Sequence, residues 1–480
     1  MGDLGGDEMK RRYYFSHFVY LCIIALATYI MLMDCGQQPK QGRLNFVFIL
    51  ADDLGWNQVG YQGNDFYETP NIDLIAREGM YFSNAYSSAP VCSPTRAGLM
   101  TGKHPARLHI TDYIPGSPYP YAKLTTPQQA PCLPLEELTI AEKLKTAGYT
   151  TGHFGKWHLS KDKEYEPGRP FDPGSQGFDV VFTSVKPAED TDPDKDAHHA
   201  VEITEKSIQF LEQHKDQPFF LYVSHHVVHR PIMENADLIA KYQAKPDSDQ
   251  PEHNPIMGAM IERMDTGIGK ILNKLDELGL SDRTVVIFYS DNGGLESLQD
   301  QTPLRGGKAT IFEGGIRVPL AIRWPGVIQA GTRSDALVCS EDFFPTIMEM
   351  AGIQYDQKNI DGVNLITVLN QCGPLKREAL YWHYPHYHHQ GYKPAGAIRE
   401  SDFKLIEWYE PTLLGEEHQI NLYNLTEDIG ESIDLSGEMP ELAARLREKL
   451  HSWKKSINAQ EMKVNPNYDP KKADWRFESQ

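Results

Sequence analysis

Short, continuous apolar runs alternate with longer amphipathic stretches along most of the chain. Residues 44–50 (LNFVFIL) and 284–289 (TVVIFY) are apolar at almost every position, which predicts strands buried on both faces. Residues 149–154, 219–223 and 317–323 predict further strands. Between them, 71–79, 135–147, 200–214 and 256–278 carry apolar residues at helical spacing. Gly79, Gly148 and Gly279 mark helix ends. Buried strands alternating with helices predict an α/β fold, a mostly parallel sheet with helices on both faces. The pattern changes after 375. Residues 397–409 and 420–425 read as strands and 440–453 as a helix, which predicts a smaller C-terminal α+β subdomain with an antiparallel sheet. The expected organisation is a targeting segment and linker over 1–40, a catalytic domain over 41–375 and the small subdomain over 376–480.

The first segment follows a different rule. Lys10, Arg11 and Arg12 precede an uncharged, largely apolar stretch over 13–33. This is the order of a signal peptide, or of a signal anchor if it is retained. Leu32-Met33-Asp34-Cys35 weakly resembles a lipid-attachment site, and a start at Met9 would give a cleaner positive region. Each version predicts export to a periplasmic, cell-surface or secreted location, with membrane contact only through this segment.

Charge and cysteine content narrow the rest. Forty-seven Lys and Arg against 66 Asp and Glu give a net charge of −19. Without Lys/Arg blocks, such a chain is a poor generic nucleic-acid binder. With 40% hydrophobic and 24% charged residues, the composition is that of a globular protein rather than a disordered, collagenous or multi-span one. The six cysteines show no CxxC spacing and no dense disulfide framework. An oxidising compartment permits one bridge among Cys132, Cys339 and Cys372.

Several clusters carry chemistry. Asp52-Asp53 and Asp291-Asn292 follow the two most apolar runs, where parallel sheets place ligands. Their oxygens suit a hard divalent cation, and they also suit ordinary Asp/Asn turns. In Cys92-Ser93-Pro94-Thr95-Arg96, Ser93 reads as an N-cap and Pro94 as the first helical residue, with Gly102 at the far end. Cys92 then stands at a helix N-terminus, a place that favours an anion, with Arg96 one turn away as a bidentate donor. Lys156 and His158 alternate after a strand, so both side chains are expected in one site. His225, His226 and His229 follow another strand and could suggest zinc, but no acidic or cysteine partner stands at helical metal spacing. Gly306-Gly307-Lys308 and Glu313-Gly314-Gly315 bring a point charge and backbone that admits close approach. Aromatic and imidazole rings crowd 381–389, which reads either as a sugar-binding surface or as a packed seam.

Taken in order, these blocks resemble the type I sulfatases, whose Cys-x-Pro-x-Arg signature matches Cys92–Arg96. The matching blocks are Asp52-Asp53-Leu54-Gly55, the Cys92 signature, Gly155-Lys156-Trp157-His158, His229-Arg230-Pro231, Asp291-Asn292-Gly293, and Gly307-Lys308 with Glu313-Gly-Gly-Ile-Arg-Val-Pro. The resemblance implies an alkaline-phosphatase-like α/β sandwich and hydrolysis of sulfate esters. It implies that Cys92 is converted to formylglycine by a formylglycine-generating enzyme. Asp52, Asp53, Asp291, Asn292 and residue 92 would hold one Ca²⁺. Arg96 and Lys156 would steady the hydrated aldehyde, Lys308 and His229 would grip the sulfate, and His158 would accept a proton. A sulfated small molecule or glycan is the implied substrate, with a galactose or N-acetylgalactosamine sulfate preferred. Two alternatives stay open: a phosphomonoester or phosphonate hydrolase of the same superfamily, and a surface protein that binds glycans without turnover.

Overall fold

The computed structural model describes residues 42–473, apart from 163 and 391. The expected targeting segment, with Cys22 and Cys35, lies outside the described residues. Among the described residues no helix is long and apolar enough to cross a membrane.

An eight-stranded mixed sheet organises the larger part of the chain. Its strands are β1 (Asn45–Ala51), β2 (Met80–Phe82), β3 (Thr150–Gly155), β4 (Val180–Thr183), β5 (Phe219–Ser224), β6 (Thr284–Ser290), β7 (Leu320–Arg323) and β8 (Thr332–Ser334). They lie in the order β8-β2-β7-β6-β1-β5-β3-β4. The run from β6 to β4 is parallel throughout, and β7 is antiparallel to both neighbours. β1 and β6 are buried at every residue, so each contributes side chains to two cores. Phe46, Phe48 and Leu50 face one core, Val47, Ile49 and Ala51 the other. Helices α2 (Cys92–Thr101), α3 (Ile140–Thr146) and α6 (Phe343–Met350) pack on the first face. Helices α1 (Pro70–Arg77), α4 (Ala200–His214) and α5 (Pro255–Glu277) pack on the second.

A separate four-stranded antiparallel sheet comprises β9 (Leu380–Tyr384), β10 (Ala395–Glu400), β11 (Phe403–Trp408) and β12 (Ile420–Asn424). Helix α7 (Pro440–Ser456) covers it through Ala443, Leu446 and Leu450.

Several local expectations change. The strand expected over 397–409 is a hairpin, because Ser401 turns the chain with φ 53° between β10 and β11. The helix expected from 135 starts only at Ile140. There Thr139 Oγ1 accepts from Glu142 N at 3.1 Å and Glu142 Oε2 accepts from Thr139 N at 2.8 Å, a reciprocal cap that fixes the start. Ser93 is not the N-cap of α2, since the helix begins at Cys92 and Val91 precedes it in extended conformation. The Ser93 hydroxyl instead donates to His158 O at 2.8 Å and accepts from Ile114 N at 3.0 Å. Gly102 does end α2, with φ 70°. Cys132 and Cys339 are both free thiols, so no bridge joins any two of Cys132, Cys339 and Cys372.

Candidate active site

Four adjacent parallel strands, β6, β1, β5 and β3, end side by side. Leu50 pairs with Ser224 and Ala51 with Ser290, so the residues that follow emerge at one edge. Asp52 and Asp53 leave β1, Asp291 and Asn292 leave β6, and Lys156 leaves β3. Gly155 is obligatory at that last exit: its φ is 111°, and a Cβ there would overlap the Ser224 carbonyl.

Helix α2 delivers Cys92 and Arg96 to the same point, and all ten of its residues are buried. One ligand atom from each of Asp52, Asp53, Cys92 and Asp291 lies within 4.8 Å of all the others. Cys92 Sγ is 3.3 Å from Asp52 Oδ1 and 3.8 Å from Asp53 Oδ1. Asn292 donates through Nδ2 to Asp53 Oδ1 at 2.8 Å, and its Oδ1 is buried with no hydrogen-bond partner.

Three cations ring the acids. Lys156 Nζ meets Asp52 Oδ2 at 2.6 Å, and Lys308 Nζ meets Asp53 at 2.7 Å and Cys92 Sγ at 3.6 Å. Arg96 Nη2 meets Asp291 Oδ2 at 2.7 Å, while its Nη1 donates to Ser224 Oγ at 2.6 Å and to Lys156 O at 3.1 Å. Burial acts to raise the Asp52 carboxyl, yet Lys156, His229, Arg96 and Lys308 together hold it well below the ordinary range. Asp291 is pushed up to about 6 by burial and by the charge of Asp52. Burial, then Asp291 and Asp52, push the Cys92 thiol well above its usual value.

The imidazoles separate by environment. His158 sits at φ 57° just past the end of β3, so this backbone turn, not strand alternation, aims its ring. His158 Nε2 lies 2.9 Å from Ile114 O, and Nδ1 is buried without a partner. Burial, then Lys156 and Arg96, hold it well below the ordinary histidine range. His229 Nδ1 donates to Arg230 O at 2.6 Å, and Nε2 is 3.9 Å from Asp53. His226 bonds Ser184, and His225 is buried with both ring nitrogens unpartnered. His229 and Lys308 are 19% and 11% exposed, against 0% for Asp52, Asp53 and Arg96, which places these two at the open side.

The ten expected site residues thus gather at one strand-end edge. Ser224, which holds Arg96, is an addition that its place at the C-terminal end of a buried strand could have signalled. The glycine-rich loop works differently from the expectation. A Cβ at Gly293 would overlap the Gly314 carbonyl, and one at Gly314 the Gly306 carbonyl. These glycines let protein backbones pack on each other and thereby seat Lys308. The ring-rich segment is mostly a packed seam: Trp382, Tyr384, His386 and Tyr387 are buried, and Trp382 Nε1 donates to Ser87 O at 2.8 Å.

The layered sheet, its strand-end acid cluster and the separate antiparallel sheet define an alkaline-phosphatase-like α/β protein. The sulfatase family model matches residues 44–353, and the model for the C-terminal part of N-sulphoglucosamine sulphohydrolase matches 307–456. The chain therefore belongs to the sulfatase family and is a sulfuric ester hydrolase. A sulfatase of Formosa agariphila is 30% identical, covering 94% of this chain and 95% of its own. Human N-acetylgalactosamine-6-sulfatase is 32% identical over 70% of this chain and 68% of its own. In fold the chain is similar to Ps i-CgsB in complex with k-i-k-neocarrahexaose, with TM-score 0.74, 24% identity and coverage of 91% and 97%.

Proposed function

We propose that the enzyme removes sulfate from a carbohydrate, using Cys92 in its formylglycine form and one Ca²⁺. The observation that carries this is the convergence of Asp52, Asp53, Asp291, Asn292 and Cys92 inside a ring of Arg96, Lys156 and Lys308. The curated relatives named for sulfated sugars support the substrate class.

The donor set fits the ion. Three carboxylates and an amide are hard oxygen ligands of the kind Ca²⁺ takes, and the orphaned Asn292 Oδ1 is an atom such an ion would satisfy. When bound, Ca²⁺ supplies positive charge for a sulfate oxygen and eases deprotonation of a nearby hydroxyl. Formylglycine supplies a hydrated aldehyde, with one hydroxyl to attack sulfur and a second whose deprotonation releases sulfate.

The chain's own groups do the remaining work. Arg96 is pinned by Asp291, Ser224 and the Lys156 carbonyl, so its charge is pre-oriented beside residue 92. Lys156 supplies a second fixed charge there. Lys308 and His229, on the open side, hold the sulfate oxygens and stand where the departing sugar oxygen needs a proton. The Ile114 carbonyl keeps the His158 proton on Nε2 and leaves the Nδ1 lone pair free to accept one. Export through the 13–33 segment and maturation by a formylglycine-generating enzyme complete the proposal.

The direct test is the mass of the tryptic peptide carrying Cys92, measured beside sulfate release from an aryl sulfate. Conversion removes about 18 Da as the activated nucleophile forms, and activity should scale with the converted fraction. An active preparation whose Cys92 is wholly thiol overturns the formylglycine assignment. Faster turnover of phosphate or phosphonate monoesters moves the reaction to the phosphoester class. Calcium removal gives a second expected outcome: dialysis against a chelator lowers sulfate release at least tenfold, and Ca²⁺ restores it. Thermal melting should rise on add-back, because ligand at about 100 times Kd stabilises by about 2.7 kcal/mol. Unchanged activity and melting after verified metal removal would contradict the assigned ligands.

A further inference from the structure

Outside the groups that hold the sulfate, the mouth of the site has a second positive feature. The loop after β6 forms its centre. A Cβ at Gly307 would stand 2.7 Å from the Glu296 Cβ, so Glu296 abuts the residue before Lys308. Its neighbour Ser297 accepts from Arg230 Nη2 at 3.0 Å. The segment between β9 and β10 closes another side. His388 N donates to Tyr392 O at 3.2 Å, and Tyr392 OH donates to Glu296 Oε2 at 2.6 Å. The rings of His388 and His389 are 4.1 Å apart. Burial and then the charges of Lys308 and Arg230 hold His389 below its ordinary range.

The two cations differ in how they are balanced. Lys308 is paired with Asp53 at 2.7 Å. Arg230 is exposed, and the hydrogen bond it makes goes to a neutral hydroxyl. The carboxylate beside Ser297, that of Glu296, is taken by Tyr392. His389 Nδ1 is shielded from solvent and has no hydrogen-bond partner. The His389 nitrogen is closed off from a ligand, but a guanidinium with free donors, set at the mouth of a sulfate pocket in a chain of net charge −19, suits an anion.

We propose that Arg230 is a subsite for a second acidic group of the substrate. That group is a sulfate or carboxylate on the same sugar ring or on the next one. The inference rests on the reading of the site as a carbohydrate sulfatase and narrows it to polyanionic saccharides.

Arg230→Gln tests it, with Arg230→Lys as the charge-conserving variant. The substrates are an aryl sulfate, a monosulfated sugar, a disulfated sugar, and a monosulfated disaccharide containing a uronate. The expected result is that Arg230→Gln lowers the ratio of kcat/KM for doubly over singly charged sugars about tenfold or more, and that Arg230→Lys recovers part of it. Added salt should raise KM for the doubly charged substrates more in the wild type than in Arg230→Gln. Whichever doubly charged substrate loses more identifies the second group as sulfate or carboxylate. An unchanged ratio, or an equal loss on all four substrates, overturns the subsite while leaving the sulfatase reading intact. Failure of the wild type, with Cys92 converted, to cleave any of them overturns both.

Discussion

Cys92→Ala is expected to lose at least about three orders of magnitude in sulfate release, as for removal of a covalent nucleophile whose partners remain. Cys92 Sγ lies within 3.8 Å of Asp52, Asp53 and Lys308, and none of these three carries a thiol or a hydroxyl. Truncation to Ala removes one sulfur from a fully buried helix and keeps its length, so the melting temperature should move little. The variant should still bind Ca²⁺, because the carboxylates and Asn292 are unaltered. Activity, melting curve and calcium titration are measured on the same preparation. Retention of more than a tenth of wild-type activity would show that residue 92 is not the nucleophile, whatever its modification. Loss of activity with a collapsed melting curve would transfer the effect to folding.

Lys404→Met is expected to give the largest loss of stability among single substitutions in the C-terminal sheet, about 3–5 kcal/mol for removing one partner of a buried ionic cluster. Lys404 lies on β11 and is wholly buried. Its Nζ is 2.9 Å from Glu313 Oε1 and 2.9 Å from Glu431 Oε1. Glu431 Oε2 accepts from Glu313 N at 2.7 Å, and Tyr86 OH donates to Glu313 Oε2 at 2.6 Å. Burial and the charge of Glu313 already push the Glu431 carboxyl up to about 7, against the pull of Lys404. Without the lysine, Glu431 loses its cation, while Glu313 keeps Arg317 Nη1 at 3.4 Å. Glu313 begins the turn five residues beyond Lys308, so activity should fall together with stability. Lys404→Met combined with Glu431→Gln removes one negative charge and should recover part of the loss. Thermal and urea melts of the single and double variants check this; a single-variant shift within experimental error rules out a stabilising role for the cluster.

The two examples differ in how far the sequence announces them. Cys92, Arg96 and the acids after β1 and β6 are legible because a fully apolar run of strand length has few alternatives, and polar residues at its end stand where parallel sheets bind ligands. Lys404 is not legible. In FKLIEW a lysine between apolar residues reads as the outward position of an alternating strand, and only the packing of β11 beneath Glu313 turns it inward. β2, β4 and β8 are too short for periodicity to register. The glycines around Lys308 signal close approach, yet sequence does not say whether a ligand or another loop approaches. Ser93 likewise carries a capping residue type, and tertiary partners at His158 and Ile114 claim its hydroxyl instead.

The distance along the chain between the halves of the site has a consequence in time. Arg96 bonds Asp291 across 195 residues, and Asp53 bonds Asn292 across 239. During synthesis at 5–20 residues per second, the strand that closes the site follows the Cys92 helix by on the order of ten to forty seconds. Until β6 arrives, Arg96 lacks its Asp291 partner and the ring of groups around Cys92 is incomplete. In the finished fold the Cys92 side chain is 1% exposed. On the proposed formylglycine mechanism, the fraction of active molecules is set by a race between docking and chemistry at residue 92. Slower translation between residues 96 and 291 should raise that fraction, although it changes no contact in the finished protein.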